Sequence, residues 1–198
     1  MKPKNAIFYP GCFYHIYNRG NNRENLFYKQ ENYHYFLRRY NYYLNEFLQT
    51  YAYCLLPNHF HLLIKVRDEK DLPGFKNLEG LSYQISKKFS DFFNSYAKAI
   101  NKQENRVGSL FQKPFKRIHI DNYKYLLTVL YYIHANPQLH GLINDFRNWP
   151  YSSYGKFLEA KKSHLPRQEI LNWFGSIEEY RLFHNHIPKL QNIGLDDY

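Results

Sequence analysis

The sequence predicts an α+β fold that opens as a split βαβ unit of the ferredoxin-like kind, and three observations carry this reading. A run rich in aromatic and β-branched residues, 13–18, comes first. An apolar stripe at three- and four-residue spacing follows over residues 30–48. Two further extended runs then flank the turn signal Pro57-Asn58, as in a hairpin. Strand, helix and hairpin in that order form the first half of a split βαβ layout.

In chain order, the first strand is Phe13-Tyr14-His15-Ile16-Tyr17-Asn18, closed by Arg19-Gly20-Asn21-Asn22-Arg23. Glycine and asparagine tolerate the positive φ that such turns require. Arg19 and Arg23 flank this turn, either as holders of phosphate or as a solvated basic turn. Tyr33, Phe36, Leu37, Tyr40, Leu44 and Phe47 then form the buried stripe of the first helix. The second strand spans 51–56, and the third carries His59-Phe60-His61-Leu62-Leu63-Ile64. Alternation places His59 and His61 on one face, roughly 6.5–7 Å apart, with Phe60, Leu62, Ile64 and Val66 turned into a core. Two such imidazoles either share a divalent metal or decorate the outer face of an edge strand.

Residues 67–77 read as a loop with Pro73-Gly74. A second amphipathic helix over about 81–100 follows, with Leu81, Ile85, Phe89, Phe92, Phe93, Tyr96 and Ile100 on its apolar side. Residues 109–120 form a further strand, kept at an edge or bulged by Pro114. Here Phe111, Lys113, Phe115, Lys116 and Arg117 interleave aromatic and basic side chains, as in a groove for nucleic acid or a charged edge strand. Asp121 caps a helix whose core positions are Leu126, Val129, Leu130 and Ile133. Tyr132 lies at the margin of that face, Asn136 follows one turn later, and Pro137 is expected to stop the helix at a frayed end. The tail holds the aromatic turn Trp149-Pro150-Tyr151-Ser152-Ser153-Tyr154 and one short helix over 169–184. His184-Asn185-His186, with no aliphatic strand around it, reads as a surface feature. His15, His119 and His134 read as hydrogen-bonded structural histidines, and Asp196-Asp197-Tyr198 as a frayed end.

Bulk composition narrows the partners. The 198 residues carry a net charge of +10, with 21 Tyr and 16 Phe, and the pI is about 9.4. Such a chain suits a polyanion, and the aromatic excess suits stacking on unpaired bases. Cys12 and Cys54 form no C-x-x-C pair, so neither a disulfide framework nor a thiolate zinc site is expected. No apolar run approaches the ~20 residues of a membrane span, and the N-terminus lacks a signal-peptide core, so a soluble cytoplasmic protein with no membrane contact is expected.

Five ordered blocks carry a resemblance. They are Tyr14-His15-Ile16-Tyr17-Asn18-Arg19-Gly20, the histidine hairpin Pro57-Asn58-His59-Phe60-His61-Leu62-Leu63-Ile64, Gly108-Ser109-Leu110-Phe111-Gln112-Lys113-Pro114-Phe115, Tyr132-Ile133-His134-Ala135-Asn136-Pro137, and Trp149-Pro150-Tyr151-Ser152-Ser153-Tyr154. Over residues 8–155 the chain resembles the single-tyrosine transposases of the HUH superfamily, and among them the REP-associated tyrosine transposases. The resemblance implies a ferredoxin-like domain over 1–155, with helices on an antiparallel sheet, and a C-terminal helical extension over 156–198 packed on or beside it. It implies an enzyme that cleaves and rejoins single-stranded or hairpin DNA through a 5′-phosphotyrosine, acting as monomer or homodimer. Tyr132 maps onto the nucleophile. His59, His61 and Asn136 map onto the ligands of Mg2+ or Mn2+. Arg19, Arg23, Phe111, Lys113, Phe115, Lys116 and Arg117 are the expected DNA contacts. A non-catalytic nucleic-acid-binding module on the same fold is the alternative, and a replication initiator or relaxase would use the same residues with further domains.

Overall fold

The computed structural model describes residues 5–72, 74, 76–159 and 163–185. Its frame is β1 (Phe13–Arg19), α1 (Gln30–Leu44), β2 (Leu48–Leu56), β3 (His59–Val66), α2 (Leu78–Gln103) and β4 (Lys116–Ile120). The strands form one antiparallel sheet in the order β2-β3-β1-β4. This is the ferredoxin-like arrangement expected from the sequence, with α1 and α2 on one face.

Alternation along the strands divides the interior into two cores. Tyr14, Ile16, Leu55, Phe60, Leu62 and Ile64 pack with Phe36, Phe89, Phe92 and Tyr96 of α1 and α2. The opposite face, through Tyr17, Cys54, Leu56, Leu63, Ile118 and Ile120, is covered by α3 (Tyr123–Leu139). Behind α3 follow α4 (Tyr154–Leu158), α5 (Arg167–Phe174) and α6 (Ile177–Asn185), which place Phe157, Ile170, Leu171 and Tyr180 in the same second core.

Several expectations change. β3 lies between β2 and β1, so the histidine strand is central and its second face is buried, not displayed at an edge. β2 begins at Leu48, because a register shift between Thr50 and Ala52 lets the ladder continue past Tyr51. The expected strand over 109–120 shrinks to β4; upstream, Phe111 makes one isolated bridge to Gly20. Asn122, not Asp121, caps α3, its side chain accepting from Tyr125 N. That helix continues through Pro137 to Leu139. Asn136 and Pro137 are buried there, and their packing outweighs one lost helix hydrogen bond. The single tail helix is two: Gly175, at φ 91, ends α5, and Ser176 starts α6 by accepting from Glu179 N. No helix among the described residues is long and apolar enough to cross a membrane. Residues 196–198 and His186 lie outside the described residues.

Candidate active site

The site forms where β1 and β3 present one face to α3. Antiparallel pairing sets Tyr17 opposite His61 and Arg19 opposite His59. Period-two alternation then puts His15, Tyr17 and Arg19 on the same side as the histidine pair. α3 crosses this side, and Tyr132 and Asn136, one turn apart, both reach it. The structure thus brings four sequence-expected residues together in one chain. The Tyr132 ring stands edge-on to His61, with centroids 5.4 Å apart. Asn136 Oδ1 lies 3.2 Å from His59 Nε2. The rings of His59 and His61 are 5.3 Å apart and perpendicular.

Two further histidines belong to this neighbourhood. His15 is fully buried, and its Nε2 lies 2.9 Å from His61 Nδ1. It stacks on Tyr17 at 4.8 Å and meets the Tyr132 ring edge-on at 6.1 Å. His140, at the C-terminal end of α3, is exposed and 4.8 Å from the His59 ring. By spacing alone His15 is a structural histidine and His140 has no assigned role. The face-sharing of His15 with Tyr17 and Arg19 was the available signal, but it gains meaning only once β1 is paired with β3.

Burial sets the electrostatics. Desolvation lowers His59 to about 4, helped by repulsion from His140 and Arg19. It lowers His15 to about 3 and holds His61 well below its ordinary value. All three imidazoles are therefore neutral near pH 7, the state in which their nitrogens can ligate. Burial also pushes the Tyr17 phenol up to about 12.

The residues present fit a divalent cation. Asn58 Nδ2 donates to Arg23 O at 3.3 Å, which turns Asn58 Oδ1 toward His59 Nδ1 at 2.7 Å. With Nδ1–H donating to Asn58 Oδ1, His59 Nε2 would point a lone pair at Asn136 Oδ1. A cation between the Nε2 lone pair and Oδ1, 3.2 Å apart, would be ligated by both. Ligands at right angles about 2.1 Å from one ion lie about 3 Å apart. The other amide atom, Asn136 Nδ2, is buried with no hydrogen-bond partner among the described residues. No group of three or more His, Cys, Asp or Glu among the described residues is arranged for a metal; the set here is two histidines and an amide.

The expected DNA contacts divide. Arg19 lies at the site, close enough to disfavour charge on both His59 and His140. Arg23 is exposed on its turn at φ 60, and Lys113 is exposed on the segment before β4. Lys116, in β4, is half-buried. Phe111 is a correction: although it borders the groove described below, it is 4% exposed and packs on Phe93 at 4.8 Å and Tyr96 at 6.0 Å, too little exposed to stack on a base. Phe115 is half-buried and stacks chiefly on Phe89 at 4.8 Å. Arg117 is held between Phe8 and Phe115 and donates to Ser86 Oγ at 2.7 Å. Arg117, Lys113, Lys98 and Asn94 line a groove of about 870 Å3 between α2 and residues 108–117. That groove opens on the α2 side of the sheet, away from Tyr132.

His184 is a second correction. It is buried, not superficial, and joins His134 Nδ1 at 2.9 Å. Its own Nδ1 donates to Tyr180 O at 2.8 Å, and His134 Nε2 meets Ser153 Oγ at 2.9 Å. Aromatic side chains of α6 and the 146–157 region enclose it.

No protein-family model matches the chain. It is 30% identical over 113 residues to a protein of Haemophilus influenzae whose curated name gives it provisionally as a REP-associated tyrosine transposase. The match takes in 57% of this chain and spans 62% of the length of that relative. Among solved structures, one described as the REP-associated tyrosine transposase bound to a REP hairpin superposes with a TM-score of 0.56. That likeness has 19% identity and covers 80% of this chain and 86% of the other. In sequence and in fold, then, the chain resembles the REP-associated tyrosine transposases, as its motifs imply.

Proposed function

We propose that this relative of the REP-associated tyrosine transposases is itself a DNA strand transferase, acting on single-stranded or hairpin DNA with Tyr132 as nucleophile. The observation that carries the reading is the contact of Tyr132 with His61 of the same chain, 5.4 Å between rings, beside the Asn136–His59 pair. A bare binding surface has no use for a buried phenol against neutral imidazoles.

His59, His61 and Asn136 would hold Mg2+ or Mn2+, which when bound would supply polarisation of a phosphodiester and offset charge on the leaving oxygen. The chain's own residues do the rest. α3 carries Tyr132 to the histidine face and holds it against His15 and His61. Tyr132 Oη attacks phosphorus, the bond to the 3′ oxygen breaks, and a 5′-phosphotyrosine and a free 3′-OH result. Attack by a 3′-OH reverses the step and rejoins the strand without another energy source. Arg19, at the mouth of the site, is placed to hold a flanking phosphate. Lys116, paired with Tyr17, adds basic charge on the Tyr132 side of the sheet, and Arg23 adds it on the turn after β1, whereas Lys113 lines the groove on the other side, in keeping with the net +10.

The test is an end-labelled hairpin oligonucleotide with single-stranded flanks, incubated with the protein and Mn2+. A denaturant-resistant protein–DNA adduct is expected, lost on chelation and in Tyr132→Phe, with hairpin binding by Tyr132→Phe retained. An adduct that survives Tyr132→Phe would remove this tyrosine from the mechanism.

A further inference from the structure

We infer that His15 is a positioning residue of the metal site, fixing through one hydrogen bond which nitrogen of His61 is offered to the cation. The inference rests on the reading of His59, His61 and Asn136 as the metal-holding set.

His15 has no packing reason to be a histidine. It is fully buried beside Tyr17, His61 and Tyr132, where a phenylalanine ring would fill the same space. Its Nδ1 has no hydrogen-bond partner among the described residues, so the site tolerates a buried polar atom for the sake of the other nitrogen. That nitrogen, Nε2, lies 2.9 Å from His61 Nδ1. Between two neutral imidazoles one nitrogen donates and the other accepts, which leaves two arrangements. If His15 donates, His61 Nδ1 accepts and the proton of His61 sits on Nε2, where it bars ligation. If His61 Nδ1–H donates to His15 Nε2, then His61 Nε2 carries the lone pair and His15 Nδ1 carries the stranded proton.

Only the second arrangement serves a cation. His15 thereby stands to His61 as Asn58 stands to His59: each accepts the Nδ1 proton of one metal histidine and leaves Nε2 for the ion. Such outer partners typically govern metal affinity by 10–100-fold. The two rings lie nearly parallel, 19° between planes with centroids 5.1 Å apart, the edge-to-edge arrangement that an in-plane hydrogen bond between ring nitrogens requires.

Mn2+ binding to the full chain, measured by paramagnetic resonance of the free ion, tests this in wild type, His61→Ala, His15→Phe and His15→Gln. Wild type should bind and His61→Ala should lose binding. His15→Phe should bind roughly 10–100-fold more weakly, with a melting temperature in chelator no lower than wild type. His15→Gln, whose Oε1 accepts from Nδ1–H, should recover most of the affinity. Wild-type affinity in His15→Phe overturns the inference alone; no Mn2+ binding by the wild type overturns the metal reading and the inference together. Ring-nitrogen NMR of wild type in Mg2+ decides the matter independently of any variant: His61 must carry its proton on Nδ1, and a proton on Nε2 overturns the assignment.

Discussion

Two adjacent tyrosines, Tyr131 and Tyr132, differ in what they touch. Tyr132 faces His61 and His15, whereas Tyr131 packs toward Phe146, Phe183 and His184 on the far side of α3. A step of ~100° around the helix separates the two directions. Tyr131→Phe is therefore expected to keep the covalent adduct that Tyr132→Phe loses, read on a denaturing gel. The same attention to contacts separates Phe111 from Lys113. Phe111→Ala should cost about 3–5 kcal/mol of stability as a core truncation, seen by urea melts. Lys113→Ala should leave the melt unchanged and, if it meets a phosphate, lower the salt slope of hairpin binding by about 1. At this scale the basic–aromatic pattern was legible but its division was not, because a Lys and a Phe alternate alike in groove and core.

Among the elements, α3 does the most connecting. One side presents Tyr132 and Asn136 to the sheet; the other is tied to α6 by the bond from His134 to His184. His184→Ala should strand the His134 Nδ1 proton and cost about 1–3 kcal/mol, before any cavity term, measured by thermal denaturation. Burial lowers His184 to about 4 and His134 well below its ordinary value. Unfolded, both titrate near 6.5, so acid favours the unfolded chain. Their stabilisation is complete above that value and is lost as pH falls from about 6.5 toward 4, by up to ~1.4 kcal/mol per unit for each histidine. A melting temperature that stays level from about pH 7 to pH 5 would contradict this linkage. Helical periodicity locates α3, yet backbone preference puts its stop before Pro137, which the helix in fact contains. Local backbone preference says nothing of the burial that carries the helix one further half-turn.

Taken as one molecule, the chain brings Tyr132 within ring contact of its own His61, 5.4 Å between centroids, so the proposed nucleophile can act within one subunit. Mixing Tyr132→Phe with His61→Ala should therefore restore no adduct, whereas recovery in the mixture would show that tyrosines are exchanged between subunits. The order of elements from β1 to α3, the inward face of β3 and the pairing of Tyr132 with Asn136 followed from the sequence by itself, since strand and helix periods and i, i+4 spacing are local properties. The five ordered motif blocks carried the chemistry further than any spacing did. Only the tertiary structure decided that β3 is central, that His15 engages His61, that Phe111 belongs to the core and that His184 is buried behind α3. Each of these depends on which surface a distant segment covers, and period-two or period-3.6 patterning marks an apolar face without naming what will lie against it.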